Sequence, residues 1–153
     1  MQTYDATELS AKARQLVGTD APNEHSKLAR KHRVAAKQIQ EAMKNGNLSV
    51  IHLGTARATI DAHRNAADRH EGAARAVANN SWNKMDAQRA AADASHHAIS
   101  YDRTTRGQMM KMKKSVVKEL RRMAKREDGK SRDAALSLLE KTGNLKKKKS
   151  DGQ

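Results

Sequence analysis

The stretch LGTARATIDAHRNAADRHEGAARAV, residues 53–77, decides the fold. Leu53, Ala56, Ile60, His63, Ala67, His70, Ala74 and Val77 follow one another in alternating steps of three and four. Such spacing holds one stripe of an α-helix against a neighbouring helix throughout its length, as in a coiled-coil seam. No comparable alternation of period two occurs, and the only proline is Pro22, so the whole chain reads as helical.

Working outward, a first short helix is expected from Asp5, where Asp5 and Glu8 have the spacing of a capping box. Leu9, Ala13 and Leu16 form its stripe, and Gly18 ends it. Asp20 and Pro22 fall where the cap and first turn of a second helix belong. Leu28, His32, Ala35, Ile39 and Met43 share a face of that helix, and Asn45-Gly46 closes it. The third helix is expected to begin near Asn47 or Ser49. After it, Asn79-Asn80-Ser81 breaks the chain and caps a fourth helix carrying Trp82, Met85, Ala92, His96 and Ile99. Thr104, Thr105 and Gly107 are poor helix interiors and predict a break between Tyr101 and Gly107. A fifth helix then turns Met109, Met112, Val116, Leu120 and Met123 inward. Ser131 caps a sixth, containing Ala135, Leu138 and Leu139, which Gly143 closes.

A unit His-x-x-Ala-Ala recurs at His32, His63 and His70. His25 and His32 are seven residues apart, as are His63 and His70, so each pair lies on one helical face. If the second and third helices form a hairpin over Asn45-Gly46-Asn47, Met43 meets Leu53 and Ile39 meets Ala56. His32 then falls near His63, and His25 near His70. Three roles are open for these two histidine layers. The favoured one is packing in the seam, with the rings satisfied by carboxylates such as Glu24, Asp68 or Glu71. A pH-responsive seam is the second. Metal binding is the third, and the spacing does not support it: the paired Glu-x-x-His of helical di-metal sites is missing, Asp93-x-x-His96 being a distant relative. No metal or cofactor is expected.

The heptads of Ala62 to Ala74 resemble the Ala/His-rich helical segments of head-associated and morphogenesis proteins of tailed bacteriophages, over roughly residues 24–100. That resemblance implies a small virion-associated or assembly protein and carries no catalytic residues.

Charge divides the chain. Thirty-one Lys and Arg against 17 Asp and Glu give a net charge of +14 over 153 residues. Residues 1–100 hold 14 basic and 10 acidic side chains, and residues 101–153 hold 17 and 7. The fifth helix places Lys111, Lys113, Lys114, Lys118, Arg121, Arg122, Lys125 and Arg126 around its apolar stripe, and Glu119 alone interrupts them. With Arg103, Arg106 and the run Lys146, Lys147, Lys148 and Lys149, these residues form a candidate nucleic-acid-binding set. Its contacts are expected with the phosphate backbone, of DNA before RNA; a merely solvated charged helix is the plain alternative, and an acidic protein surface or, less well without Trp or Phe on its apolar face, an anionic membrane are the other partners weighed. Base-specific readout and single-strand stacking find little support, since the region mixes Lys with Arg and has only Tyr101 at its edge.

The remaining composition excludes several classes. There is no cysteine, and so no disulfide or thiolate chemistry. Uncharged runs are too short for a membrane span, the first residues lack the pattern of a signal peptide, and no membrane partner is expected. No glycine-rich phosphate loop occurs, and nothing sets a serine beside a histidine in a nucleophilic turn. Asp93, Ser95, His96, His97, Tyr101, Asp102 and Arg103 make the one polar knot that suggests catalysis, and the chain is read as non-enzymatic.

The expectation is an all-α protein, an elongated hairpin or bundle with a coiled-coil-like seam. Residues 1–100 form an Ala/His-rich scaffold, 101–143 a basic amphipathic segment and 144–153 a Lys-rich tail. A homo-oligomeric or assembly role, in the cytoplasm or in a virion, fits best. A small nucleic-acid-binding regulator or host-factor inhibitor is the alternative.

Overall fold

The computed structural model describes residues 6–126 and 129–143. Asp5, Lys146, Lys147, Lys148 and Lys149 lie outside them, as does the side chain of Arg126. The protein is all-α, and its elements are α1 (Ala6–Leu16), α2 (Pro22–Lys44), a 3₁₀ turn (Val50–His52), α3 (Leu53–Ala78), α4 (Lys84–Arg126) and α5 (Lys130–Lys141). They fall into two compact units, one reaching to Met109 and the other beginning at Met110.

In the first unit α2 and α3 form the expected antiparallel hairpin. The turn between them is fixed by a Schellman arrangement. The Asn47 N–H donates to the Ala42 carbonyl (2.9 Å), and the Gly46 N–H donates to the Met43 carbonyl (3.3 Å). Gly46 supplies the left-handed residue this requires, at φ +70°. At the other end of α3 the same two bonds recur, Ser81 to Ala76 (2.8 Å) and Asn80 to Val77 (3.1 Å). There Asn80 occupies the left-handed position (φ +48°), a conformation asparagine tolerates better than most residues.

Beside the turn, Ala36, Ile39, Leu48, Ala56 and Ile60 form one apolar cluster, which Met43, Leu53 and Met109 border. Leu9, Ala13, Leu28, Ala92 and Ile99 form a second, where α1 meets α2 and α4. The wholly buried Gln88 of α4 ties down the α1–α2 turn. Its Oε1 accepts from the Gly18 N–H (2.6 Å), and its Nε2 donates to the Thr19 carbonyl (2.9 Å). Alanine lines much of the seam: Ala35, Ala66, Ala67, Ala73, Ala91 and Ala98 are inaccessible to solvent. Small side chains let the helices approach closely, at the cost of apolar area per residue.

Several details differ from the sequence reading. No break occurs at Tyr101–Gly107, because α4 passes through it as one helix. Tertiary bonds outweigh poor propensity there: the Thr105 and Thr59 hydroxyls meet at 2.7 Å, both buried, and Arg106 donates to Gln38 of α2 at 2.9 Å. Trp82 does not belong to the fourth helix; it precedes α4 and is 94% exposed, while Met85 and His96 also face outward. Ala21, not Asp20, stands at the N-cap of α2, and Gly129, not Ser131, at that of α5; neither start has a side-chain cap. In the second unit Val116 is exposed, Met112, Leu120 and Met123 are half-buried, and α5 buries Ala135 and Leu139 while leaving Leu138 exposed.

The hairpin cluster should carry much of the stability of the first unit. Ile39→Ala removes a side chain with no solvent exposure and should lower the unfolding free energy by about 3 kcal/mol. Val34→Ala, on the exposed face of the same helix, should change it by less than about 0.5 kcal/mol. Urea denaturation followed by circular dichroism distinguishes the two.

Candidate functional site

The hairpin register brings the four seam histidines together in the predicted pairs. His32 and His63 approach Nδ1 to Nδ1 at 2.9 Å, and His25 and His70 at 3.0 Å. All four rings have zero solvent exposure. The ring centroids of His32 and His70 are 5.8 Å apart and nearly parallel, so the two layers are stacked on one another.

The rings are not satisfied by the expected carboxylates. Glu24 pairs with Lys27 (3.0 Å), and Asp68 and Glu71 pair with Arg33 (3.0 and 2.9 Å), all on the surface. Their partners come from α4 instead. Ser95 Oγ lies 2.8 Å from His32 Nε2 and 2.7 Å from His70 Nε2, and Asp102 Oδ2 lies 2.6 Å from His63 Nε2. Ser95 and Asp102 are themselves fully buried. Arg106 Nε donates to the other Asp102 oxygen (2.7 Å), and its guanidinium also donates to Gln38 Oε1 (2.9 Å).

A hydrogen-bonded chain therefore runs through three helices, from His25 through His70, Ser95, His32 and His63 to Asp102 and Arg106. Burial in an apolar seam disfavours imidazolium. Desolvation, with smaller repulsion from His63 and His70, pushes His32 down to about 3. Desolvation and His25 push His70 down to about 4. His25 is also lowered by desolvation. His25, His32 and His70 are therefore neutral at pH 7, and each then has one donor and one acceptor nitrogen.

From the polar knot read in the sequence, Ser95 and Asp102 join this chain, whereas His96, His97, Asp93 and Arg103 are exposed. Asp102, His63, His32 and Ser95 stand in the order of a charge-relay set lengthened by one imidazole. Ser95 is inside a helix, however, where backbone N–H groups are bonded to carbonyls one turn back. No pair of donors is left there to hold an oxyanion. Among the described residues, no three His, Asp or Glu side chains converge as metal ligands, and no helix is long and apolar enough to cross a membrane.

The predicted basic residues occupy three settings. Arg106 is half-buried and committed to Asp102 and Gln38. Arg103 borders a cleft of about 510 Å³ between α1 and α4, with Ser10, Arg14, His96, Ser100 and Thr104. In the second unit Lys113, Lys114, Lys118, Arg121, Arg122 and Lys125 line one groove of about 760 Å³ along α4, floored by Met110 and Val117. Their spacing of three and four puts them on one helical face. Lys111 is exposed beside it. No family model, curated protein or solved structure matches the chain.

The buried neutral histidines make stability depend on pH in one direction. Unfolded histidine takes up a proton near pH 6.5, whereas folded His32 and His70 do so only near 3 and 4. The unfolded state therefore binds more protons across this window, and stability falls as pH drops from about 6.5 toward 4. The loss should reach roughly 2 kcal/mol for each of these two histidines by about pH 5. Denaturant titrations from pH 7.5 to 4.5 measure it; a flat profile contradicts buried neutral rings.

Proposed function

We propose that the chain is a non-enzymatic structural or assembly protein that binds nucleic acid through the basic face of α4. The observation that carries this reading is the groove of the second unit, where six Lys and Arg share one face and, among the described residues, no acidic side chain lines it. Of the acidic residues of α4 beyond Met110, Glu119 is the only one, and it pairs with Arg122 (3.2 Å). A single-signed surface with lysine and arginine mixed along a helix suits phosphate contacts, which need charge and reach more than fixed geometry. The Lys-rich run 146–149 adds further cations of the same sign.

The first unit serves in this reading as a scaffold. Its polar core is bonded internally through the histidine chain, and some of its surface charges are paired, as in Arg33 with Asp68 and Glu71. The likeness of Ala62–Ala74 to phage morphogenesis proteins supports placing such a scaffold in a virion. Detection of the chain in purified particles tests that placement.

Binding to nonspecific duplex DNA should weaken steeply with salt. Six phosphate contacts give a slope of roughly −5 in log K against log salt concentration. Replacing Lys113, Lys114, Lys118, Arg121 and Arg122 by alanine should reduce affinity by at least about 100-fold near 0.1 M salt, with helicity by circular dichroism unchanged. A slope shallower than about −1, or undiminished binding by the variant, rejects phosphate recognition by this face.

A further inference from the structure

The core hydrogen bonds have a direction, and one residue sets it. Arg106 and Asp102 form an ion pair at 2.7 Å; with Asp102 as its carboxylate, the second oxygen can only accept. His63 must then carry hydrogen on Nε2; with that ring neutral it accepts at Nδ1, and His32 is the donor through Nδ1–H. The His32 Nε2 lone pair accepts from the Ser95 hydroxyl, whose oxygen in turn accepts from His70 Nε2–H. The remaining His70 Nδ1 accepts from His25 Nδ1–H. Each step follows from the one before. The chain ends on His25 Nε2, a buried lone pair with no hydrogen-bond partner among the described residues.

We propose that this chain is a binding site for a single proton, entered at His25 Nε2 and stored at Asp102 without forming an imidazolium. A proton added at His25 Nε2 displaces the Nδ1 hydrogen to His70 Nδ1, and His70 passes its Nε2 hydrogen to Ser95. Ser95 gives its own hydrogen to His32 Nε2, and His32 passes its Nδ1 hydrogen to His63 Nδ1. His63 delivers its Nε2 hydrogen to Asp102 Oδ2. Every bond is then remade with donor and acceptor exchanged. All four rings stay neutral in the opposite tautomer, and Asp102 has become a neutral acid. The two polarities differ by one proton and by no hydrogen bond within the chain. The acid form leaves Arg106 facing a neutral partner, so the consequence of loading is a weakened Arg106–Asp102 ion pair.

The surroundings disfavour protonating His25, His32 or His70 in place. Facing the histidines are Ser95, Asp102 and Arg106 from α4 and, beyond Arg106, the neutral Gln38 from α2. On α1 the buried Ser10 and the exposed Arg14 meet His96 instead. An imidazolium at His32 or His70 would sit beside other rings with no carboxylate of its own, and desolvation already holds both far below the usual histidine range.

Two-bond ¹H–¹⁵N correlation spectra of the full-length protein report which ring nitrogen carries hydrogen. At about pH 7.5 the expected tautomers are Nδ1–H for His25 and His32 and Nε2–H for His63 and His70. On acidification all four should invert together at one midpoint, with uptake of one proton per chain. Asp102→Asn offers His63 an N–H donor in place of an acceptor, so it should show the inverted set at about pH 7.5 and lose the transition. Ser95→Ala should uncouple His70 and His25 from the inversion of His63. Separate titration of the rings to imidazolium overturns the proposal, as does a different resting set, unfolding of the wild-type protein with the resting set intact, or continued coupling in Ser95→Ala. Should Asp102→Asn fail to fold, the wild-type titration alone decides.

Discussion

The Asp102 carboxylate is the constraint on which the core of the first unit depends. A buried anion is costly unless its lone pairs are filled, and here Arg106 takes one oxygen and His63 the other. Because a carboxylate only accepts, the choice made at Asp102 propagates through every neutral ring that follows. The interior of this unit is therefore ordered in two senses. Its side chains are packed in place, and its hydrogens are aligned in one direction.

Alanine makes that arrangement possible. Histidine rings on facing helices meet nitrogen to nitrogen only where the backbones come close, and the alanines on either side of each histidine allow this. The apolar clusters at Ile39 and at Leu28 then flank the polar seam and keep water from it. Bulk and polarity are thus divided along the bundle: larger apolar side chains hold it near the α2–α3 turn and under α1, and imidazoles hold it between.

The hairpin was legible in the sequence because two independent periodicities agree. Seven-residue spacing placed each histidine pair on one face, and the Asn45-Gly46-Asn47 turn fixed the register in which 25 meets 70 and 32 meets 63. The third helix of the seam was less legible. Ser95 and Asp102 are also seven residues apart, and this signal could have found them, but they sat among His96, His97 and Arg103, which looked more reactive. Periodicity alone does not say how far α4 is rotated. The continuity of α4 through Thr104–Gly107 was hidden for a similar reason: local propensity predicted a break, whereas the bonds that oppose it come from residues more than 40 positions away. The basic face was visible as composition, and the structure separates Arg106, half-buried against Asp102 and Gln38, from the lysines that share its charge.

Trp82, at the turn into α4, has a practical consequence. It is the only tryptophan of the chain, and in the folded protein its indole already stands in solvent. Its emission is that of a hydrated indole before anything unfolds, so the usual optical signature of core exposure is nearly silent in this molecule. The same residue is a clean reporter of the opposite event. Anything that covers the tip between α3 and α4 removes water from a chromophore that the fold itself leaves uncovered.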